Sequence, residues 1–294
     1  MARRNTSVVT EFTLLGLTDS PELNAVLFML FLLIYLITGG DVWVMALILA
    51  SAQLHPPKYF FLCQLVFLDF CYSSVFIPKM LANYIAGQTA ISYPGCLLQC
   101  SLATMFLTTE CFLLAAMAYD RYVAVCHPLH YRGLLTPALC MYLVTASNLL
   151  GCPNSFIHLS GLLSLSFCRS NVMNHYFCDI PLLLQLSCSD TQYSEVLFSV
   201  VSGATSVNTF LIVVSSYPGI LRTVWKTHST RNMYKVFSTC ASHFTVVTLF
   251  YRTVIFSYLG TSSSYQQDRT KILSMFYTLL LPILSFLIYG VRNT

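Results

Sequence analysis

"LNAVLFMLFLLIYLITGGDVWVMALILA", residues 23–50, holds a single charge, Asp41, in a run long enough to cross a bilayer. About 20 apolar residues span roughly 30 Å of hydrocarbon as a helix. Six more runs of this kind follow, at about 59–86, 97–126, 138–160, 196–225, 236–260 and 272–291. The whole chain of 294 residues is 56% apolar and 9% charged, against about 25% charged in an average soluble domain. Too few charges are left to dress a water-facing surface. The expected fold is therefore an all-α membrane protein, a seven-transmembrane helix bundle forming one domain over 1–294. Gly39, Gly40, Pro78, Pro153, Gly203, Pro218 and Pro282 are acceptable within the runs, since neighbouring helices re-satisfy freed backbone groups. The sequence shows no repeat and no low-complexity linker.

Basic residues set the orientation. With the N-terminus outside, Lys58, Arg121, Arg132, Arg222, Lys226, Arg231, Lys235 and Arg292 face the cytoplasm against one acid, Asp120. The opposite side mixes six basic residues with seven acids, so the positive-inside rule gives N-out and a cytoplasmic C-terminus. Residues 1–22 become an extracellular segment and 161–195 a long second extracellular loop. Asn5-Thr6-Ser7 is a glycosylation acceptor, which makes sense only outside. No apolar stretch precedes the first run, so that run is expected to direct insertion itself.

Twelve cysteines are present. Eight fall in the runs or at their inner ends, where a small buried hydrophobe is the simplest role. Cys96, Cys168, Cys178 and Cys188 lie on the oxidising side, where two disulfides are expected and three pairings are open.

Four ionisable residues sit within apolar runs: Asp41, Asp69, Glu110 and Arg252. Each is costly there and is a functional hypothesis by default. At 1.5 Å rise per residue, Asp41, Asp69 and Glu110 all lie about 15 Å from the inner ends of their runs. Three like charges at one level call for a bound cation or for protons. The alternative is that each carboxyl is protonated and bonded to nearby backbone. Arg252 lies about 25 Å from the inner end of its run, level with Thr104. It either anchors an anionic ligand through its forked donors or snorkels to the outer headgroups.

"MAYDRYVAVCHPLHY", residues 117–131, resembles the signature of the olfactory receptors, a branch of the rhodopsin-like G-protein-coupled receptors. "LHPPKYFFLCQLVFLDFCYSS" (54–74), "FCRSNVMNHYFCDIPLLLQLSCSDT" (167–191), "SY" (216–217) and "KVFSTCASHFTVVTLFYRT" (235–253) resemble further stretches of that family, so the likeness covers nearly the whole chain. The resemblance implies a receptor in the plasma membrane of olfactory sensory neuron cilia. It would bind a small volatile odorant and raise cAMP through a stimulatory G protein. Membrane lipid is the surrounding partner. No nucleic acid is expected, and no oligomeric state follows.

The same resemblance implies roles. Thr104, Leu107, Thr108 and Cys111 would line the odorant pocket with Val201, Ser202, Thr205, Tyr251, Ile255, Tyr258 and Thr278. Arg252 joins them if it faces inward. Asp120, Arg121, Tyr122, Tyr217, Lys235, Ser238, His243, Ser285 and Tyr289 would carry activation and G-protein coupling. Asp69 and Glu110 match the family's cation site, for a sodium ion, with Asp41 added at the same level. Cys96 would bridge Cys178, and Cys168 would bridge Cys188. "HYFCD" (175–179) matches a proposed copper or zinc pattern through His175, but a disulfide-bonded Cys178 is a poor ligand. No other cofactor is expected.

Departures from the family pattern fall on working parts. Asp41 replaces Asn, Pro57-Lys58 replace Thr-Met, and Arg252 replaces Gly. Ser285-Phe286 replace Asn-Pro, which removes a helix-bending proline. No cytoplasmic tail is expected beyond about 292. One alternative reading is therefore a receptor fold with impaired signalling. Another is a transporter or proton channel, drawn from the three acids, though the repeats and matched broken helices of transporters are missing. No nucleophile-and-base spacing, phosphate loop or zinc cluster stands out, so an enzyme is not expected.

Overall fold

The structure is a computed structural model. It describes residues 9–18, 20–50, 57–168, 171–226, 240–241, 243–252, 254–255 and 275, with the backbone alone at 48–50 and 57–59. Helices dominate: α1 (Pro21–Ala50), α2 (Pro57–Ala86), α3 (Tyr93–Cys126), α4 (Tyr131–Leu134), α5 (Pro137–Leu163), α6 (Ile180–Leu186) and α7 (Gln192–Lys226). Residues 240–241, 243–252 and 254–255 are also helical. Four helices are long and apolar enough to cross a membrane: Pro21–Leu47, Phe60–Ala86, Tyr93–Cys126 and Gln192–Lys226. A fifth is added if Pro128–Leu134 and Pro137–Leu163, bent by 66°, count as one span. Apart from Met275, the seventh apolar run lies outside the described residues.

Two local devices start the middle helices. The Ser92 hydroxyl accepts from Gly95 N–H at α3, and the Thr136 hydroxyl from Leu139 N–H at α5, each with proline at the first positions. These are side-chain caps over otherwise unsatisfied donors.

Burial follows the helical period. On α1 the buried residues are Phe31, Ile34, Thr38, Asp41 and Met45, while Val26, Met29, Leu33, Leu36, Trp43 and Leu47 are exposed. A three-four spacing is one face of a 3.6-residue helix. The apolar outward face is what lipid accepts, and Asp41 stands on the inward one.

Helix α3 is the central element, packing most heavily against α5 and α7. Without a hydrophobic drive between helices in lipid, small residues let backbones approach. Gly151 is such a site: a Cβ there would lie 2.8 Å from the Met105 carbonyl oxygen and would overlap the Thr109 hydroxyl. Gly151→Val is expected to cost roughly 1–3 kcal/mol or more through overpacking. It should lower the melting temperature of the detergent-solubilised protein, and unchanged melting would refute the close α3–α5 contact.

The described residues of the segment 1–22 and of the loop 161–195 are more structured than the sequence indicated. Helix α5 runs on to Leu163 and α7 begins at Gln192, so the loop proper is shorter. Strand β1 (Glu11–Leu14) is the middle of a three-stranded sheet, between β2 (Ala90–Ser92) and β3 (Val172–Met173). It pairs antiparallel with β2, Phe12 opposite Ile91, and parallel with β3, Leu14 opposite Met173. Phe12 is fully buried beneath this sheet with Leu162, Cys178 and Leu183.

Candidate functional site

Three features sit along α3. At its N-terminal end, Cys96 is disulfide-bonded to Cys178, and Cys168 is bonded to Cys188 within the loop. Gln99 adds to the first bond: its side chain accepts from Cys178 N–H at 2.8 Å and donates to the Val75 carbonyl of α2 at 2.9 Å. The Cys100 thiol donates to the Cys178 carbonyl at 3.4 Å. Residues 96, 99 and 100 share one helical face, so loop, α2 and α3 meet there.

Asp179 follows directly and caps α6, accepting from Ile180 N–H at 2.9 Å. Burial pushes its carboxyl up from 3.8 to about 6, opposed by that N–H. The folded value thus exceeds the unfolded one. Above pH 6 the folded loop carries a desolvated charge that the unfolded chain carries in water. The penalty fades as pH falls through about 6 towards 3.8. Acidification from pH 7.4 to 5 should therefore raise the melting temperature of the native chain relative to Asp179→Asn. Parallel pH slopes for the two would refute the burial.

His175 is buried, stacked on Tyr176 at 4.8 Å and edge-on to Phe177 at 4.3 Å. It is a packing ring. Among the described residues no group of three or more His, Cys, Asp or Glu side chains could hold a metal ion.

The middle of α3 faces a polar seam. Thr108 and Cys111 are buried, with Thr104 and Leu107 half-buried. The Asn154 amide of α5 donates to the Thr108 hydroxyl at 2.8 Å. The Ser202 hydroxyl of α7 meets His158 Nε2 at 3.2 Å. The Tyr251 hydroxyl donates to the Thr209 hydroxyl at 2.7 Å, which in turn donates to the Thr205 carbonyl at 2.7 Å. Val201 and Thr205 are half-buried on α7 beside this line. Four of the expected pocket residues, Thr108, Ser202, Thr205 and Tyr251, take part in these bonds, which bring in three more: Asn154, His158 and Thr209. A signal for the first two exists in the sequence. Ser147, Gly151, Asn154, Ser155, His158 and Gly161 form a small and polar stripe at helical spacing in an otherwise apolar run.

Two expected pocket residues fall elsewhere. Arg252 and Ile255 lie on the exposed stripe of their helix with Phe244, Thr248 and Leu249, whereas Tyr251 and Val254 are buried. One residue advances a helix by about 100°, so Tyr251 and Arg252 cannot share a face. Both therefore stand on the exposed side of their helix, a position from which Arg252 can snorkel. Tyr258 and Thr278 lie outside the described residues.

Asp41, Asp69 and Glu110 are each buried, on α1, α2 and α3. They do not form one three-ligand metal group, given the absence of any such group among the described residues. Two buried carboxylates on neighbouring helices remain hard oxygen donors of the kind that suits an alkali cation.

Towards the C-terminal end of α3, Asp120 is buried and accepts from the Tyr131 hydroxyl of α4 at 2.7 Å. Its contact with Arg121 Nε is longer, 3.8 Å. The Tyr217 hydroxyl meets His243 Nδ1 at 3.0 Å. Tyr122 packs against Gly219 of α7, where an added Cβ would lie 2.6 Å from its ring. Asn5, Lys235, Ser238, Ser285, Phe286 and Tyr289 lie outside the described residues, as does the Lys58 side chain.

The family model described as olfactory receptor matches residues 28–294. Among curated relatives, mouse "Olfactory receptor 5AR1" is 46% identical over 294 residues, covering 100% of this chain and 95% of the relative. Human "Olfactory receptor 5J2" is 49% identical over 294 residues, covering 100% of this chain and 94% of the relative. Human "Olfactory receptor 5P3" is 47% identical over 295 residues, again covering 100% of this chain and 94% of the relative.

Proposed function

Because this chain belongs to the olfactory receptor family, a family of G-protein-coupled membrane receptors and not of enzymes, we propose that it is a seven-helix odorant receptor of the plasma membrane. Its N-terminus faces outward and its C-terminus the cytoplasm. A small volatile organic molecule binds among α3, α5, α7 and the 240–255 helix, and a stimulatory G protein answers by raising cAMP. Cilia of olfactory sensory neurons are the expected location.

The observation that carries this reading is the seam of hydroxyls, amide and imidazole at Thr108–Asn154, Ser202–His158 and Tyr251–Thr209–Thr205. It is set among apolar side chains, and its Thr108 belongs to the same α3 that carries Asp120 and Arg121 further along. Apolar walls with a few placed polar groups suit a small ligand. The hydroxyls and the imidazole can each donate or accept, so a neutral oxygenated odorant can replace one partner without leaving the other unsatisfied. A carboxylate ligand is not favoured, since Arg252 stands on the outer stripe. Asp69 and Glu110 are proposed to hold a sodium ion, which would offset their like charges.

A cAMP screen of an odorant panel tests the reading, with Ser202→Ala, Thr205→Ala and Tyr251→Phe in parallel. For an alcohol or ester agonist, at least one variant should raise the half-maximal concentration about tenfold, the worth of roughly 1.4 kcal/mol. A panel without any cAMP response overturns receptor function. Responses untouched by all three variants place the ligand elsewhere.

A further inference from the structure

A cavity of about 260 Å³ lies away from the seam, at the outer ends of α1 and α2. Leu27, Phe31 and Met80 form its apolar floor, and Asn24, Asn83 and Gln88 its rim. Phe28 and Tyr84, stacked at 4.9 Å, make one wall. The roof is the chain just after β1, Leu14 to Leu17.

This roof is fixed rather than draped. Leu14 N–H donates to the Thr89 carbonyl at 2.7 Å, Leu15 N–H to Met173 at 2.9 Å and Gly16 N–H to His175 at 3.2 Å. Among the described residues, the two with positive φ are Gly16 at 78 and Gly87 at 61, and both line the cavity. That left-handed backbone is easy only for glycine, so the turns on both sides of the space are built into the sequence.

We propose that this cavity is a second small-molecule site, separate from the seam. It takes a neutral molecule with an apolar body and one hydrogen-bonding head, such as a medium-chain alcohol, ester or ketone. Among the described residues no charged side chain lines it, and an ion placed against them would lose its hydration without a partner. Its volume falls slightly below the roughly 300–1,000 Å³ of ordinary ligand pockets, which selects small occupants. The Asn24 amide donates to the Thr18 carbonyl at 2.8 Å, leaving its oxygen to accept from the head of a ligand.

The site also touches the receptor's outer staple. Tyr176 lines the cavity, Phe177 packs on Phe76 of α2 at 4.5 Å, and Cys178 is bonded to Cys96 of α3. An occupant therefore bears on the loop that is fastened to α3.

The purified full chain in nanodiscs, photolabelled with a diazirine-bearing octanol and mapped by mass spectrometry, tests this. Label is expected on peptides carrying 14–17, 24–31 or 80–88, displaced by excess octan-1-ol and not by octanoate. Leu27→Trp and Met80→Trp should each cut it at least about tenfold by occupying part of the space, while Ser202→Leu in the seam should retain it. Label that cannot be displaced, that octanoate displaces equally, or that survives both filling variants overturns the site. If Leu27→Trp fails to fold, Met80→Trp decides. No signalling is read, so a receptor that fails to couple leaves the result intact, and the two proposals fail separately.

Discussion

Cys178→Ser should abolish delivery to the cell surface, and Cys168→Ser should only reduce it. The two bonds close chain separations of 82 and 20 residues. Loop-closure entropy then gives about 4.5 kcal/mol for the first and about 3.3 kcal/mol for the second. The larger effect has a structural reason beyond entropy. Around Cys178 converge the Gln99 side chain, the Cys100 thiol and, through Gly16 and His175, the segment after β1. Releasing the bond lets this loop leave α3, and with it the roof over α1 and α2. Surface staining of tagged receptors together with melting under reducing conditions checks the order. Equal surface levels for Cys178→Ser and the native chain would overturn it, and so would a heavier loss from Cys168→Ser.

The spans were legible because a bilayer leaves a chain few options. Every backbone group must bond internally, so long apolar runs become helices, and α1, α2, α3 and α7 begin and end within a few residues of the expected positions. Burial of Asp41, Asp69 and Glu110 was legible for the same reason, since a carboxylate facing lipid is too costly. The sheet around β1 was not legible. Its strands hold two to four residues, too short for a period-2 pattern to register, and Leu14 finds Met173 across most of the outer chain. Side-chain direction was the other gap. Depth along a helix placed Arg252 level with Thr104, but depth carries no azimuth. The buried neighbours Tyr251 and Val254 supply it. Asn154 and His158 were visible as a polar stripe but acquire meaning only once α5 is seen to lean on α3.

Tyr131→Phe should raise ligand-free cAMP output per surface receptor several-fold. Within the motif that marks the family, Asp120 accepts a 2.7 Å bond from Tyr131, shorter than the 3.8 Å approach of Arg121. A hydrogen bond to a charged group is worth about 1.5–3 kcal/mol. Tyr131 stands on α4, in the inner turn, so the bond fastens that turn to the end of α3. If G-protein engagement draws Arg121 away from Asp120, the bond belongs to the resting arrangement alone. Its loss then shifts the resting-to-active ratio by about tenfold for each 1.4 kcal/mol. Asp120→Asn keeps the shape and an acceptor oxygen but weakens both contacts, and it should move basal output in the same direction. Tyr217→Phe should not, because the Tyr217 hydroxyl is bonded to His243 at 3.0 Å and its loss frees neither Asp120 nor Arg121. Basal output unchanged in Tyr131→Phe at normal surface level would mean that the bond persists through activation. The restraint on Arg121 would then rest on the longer ion pair.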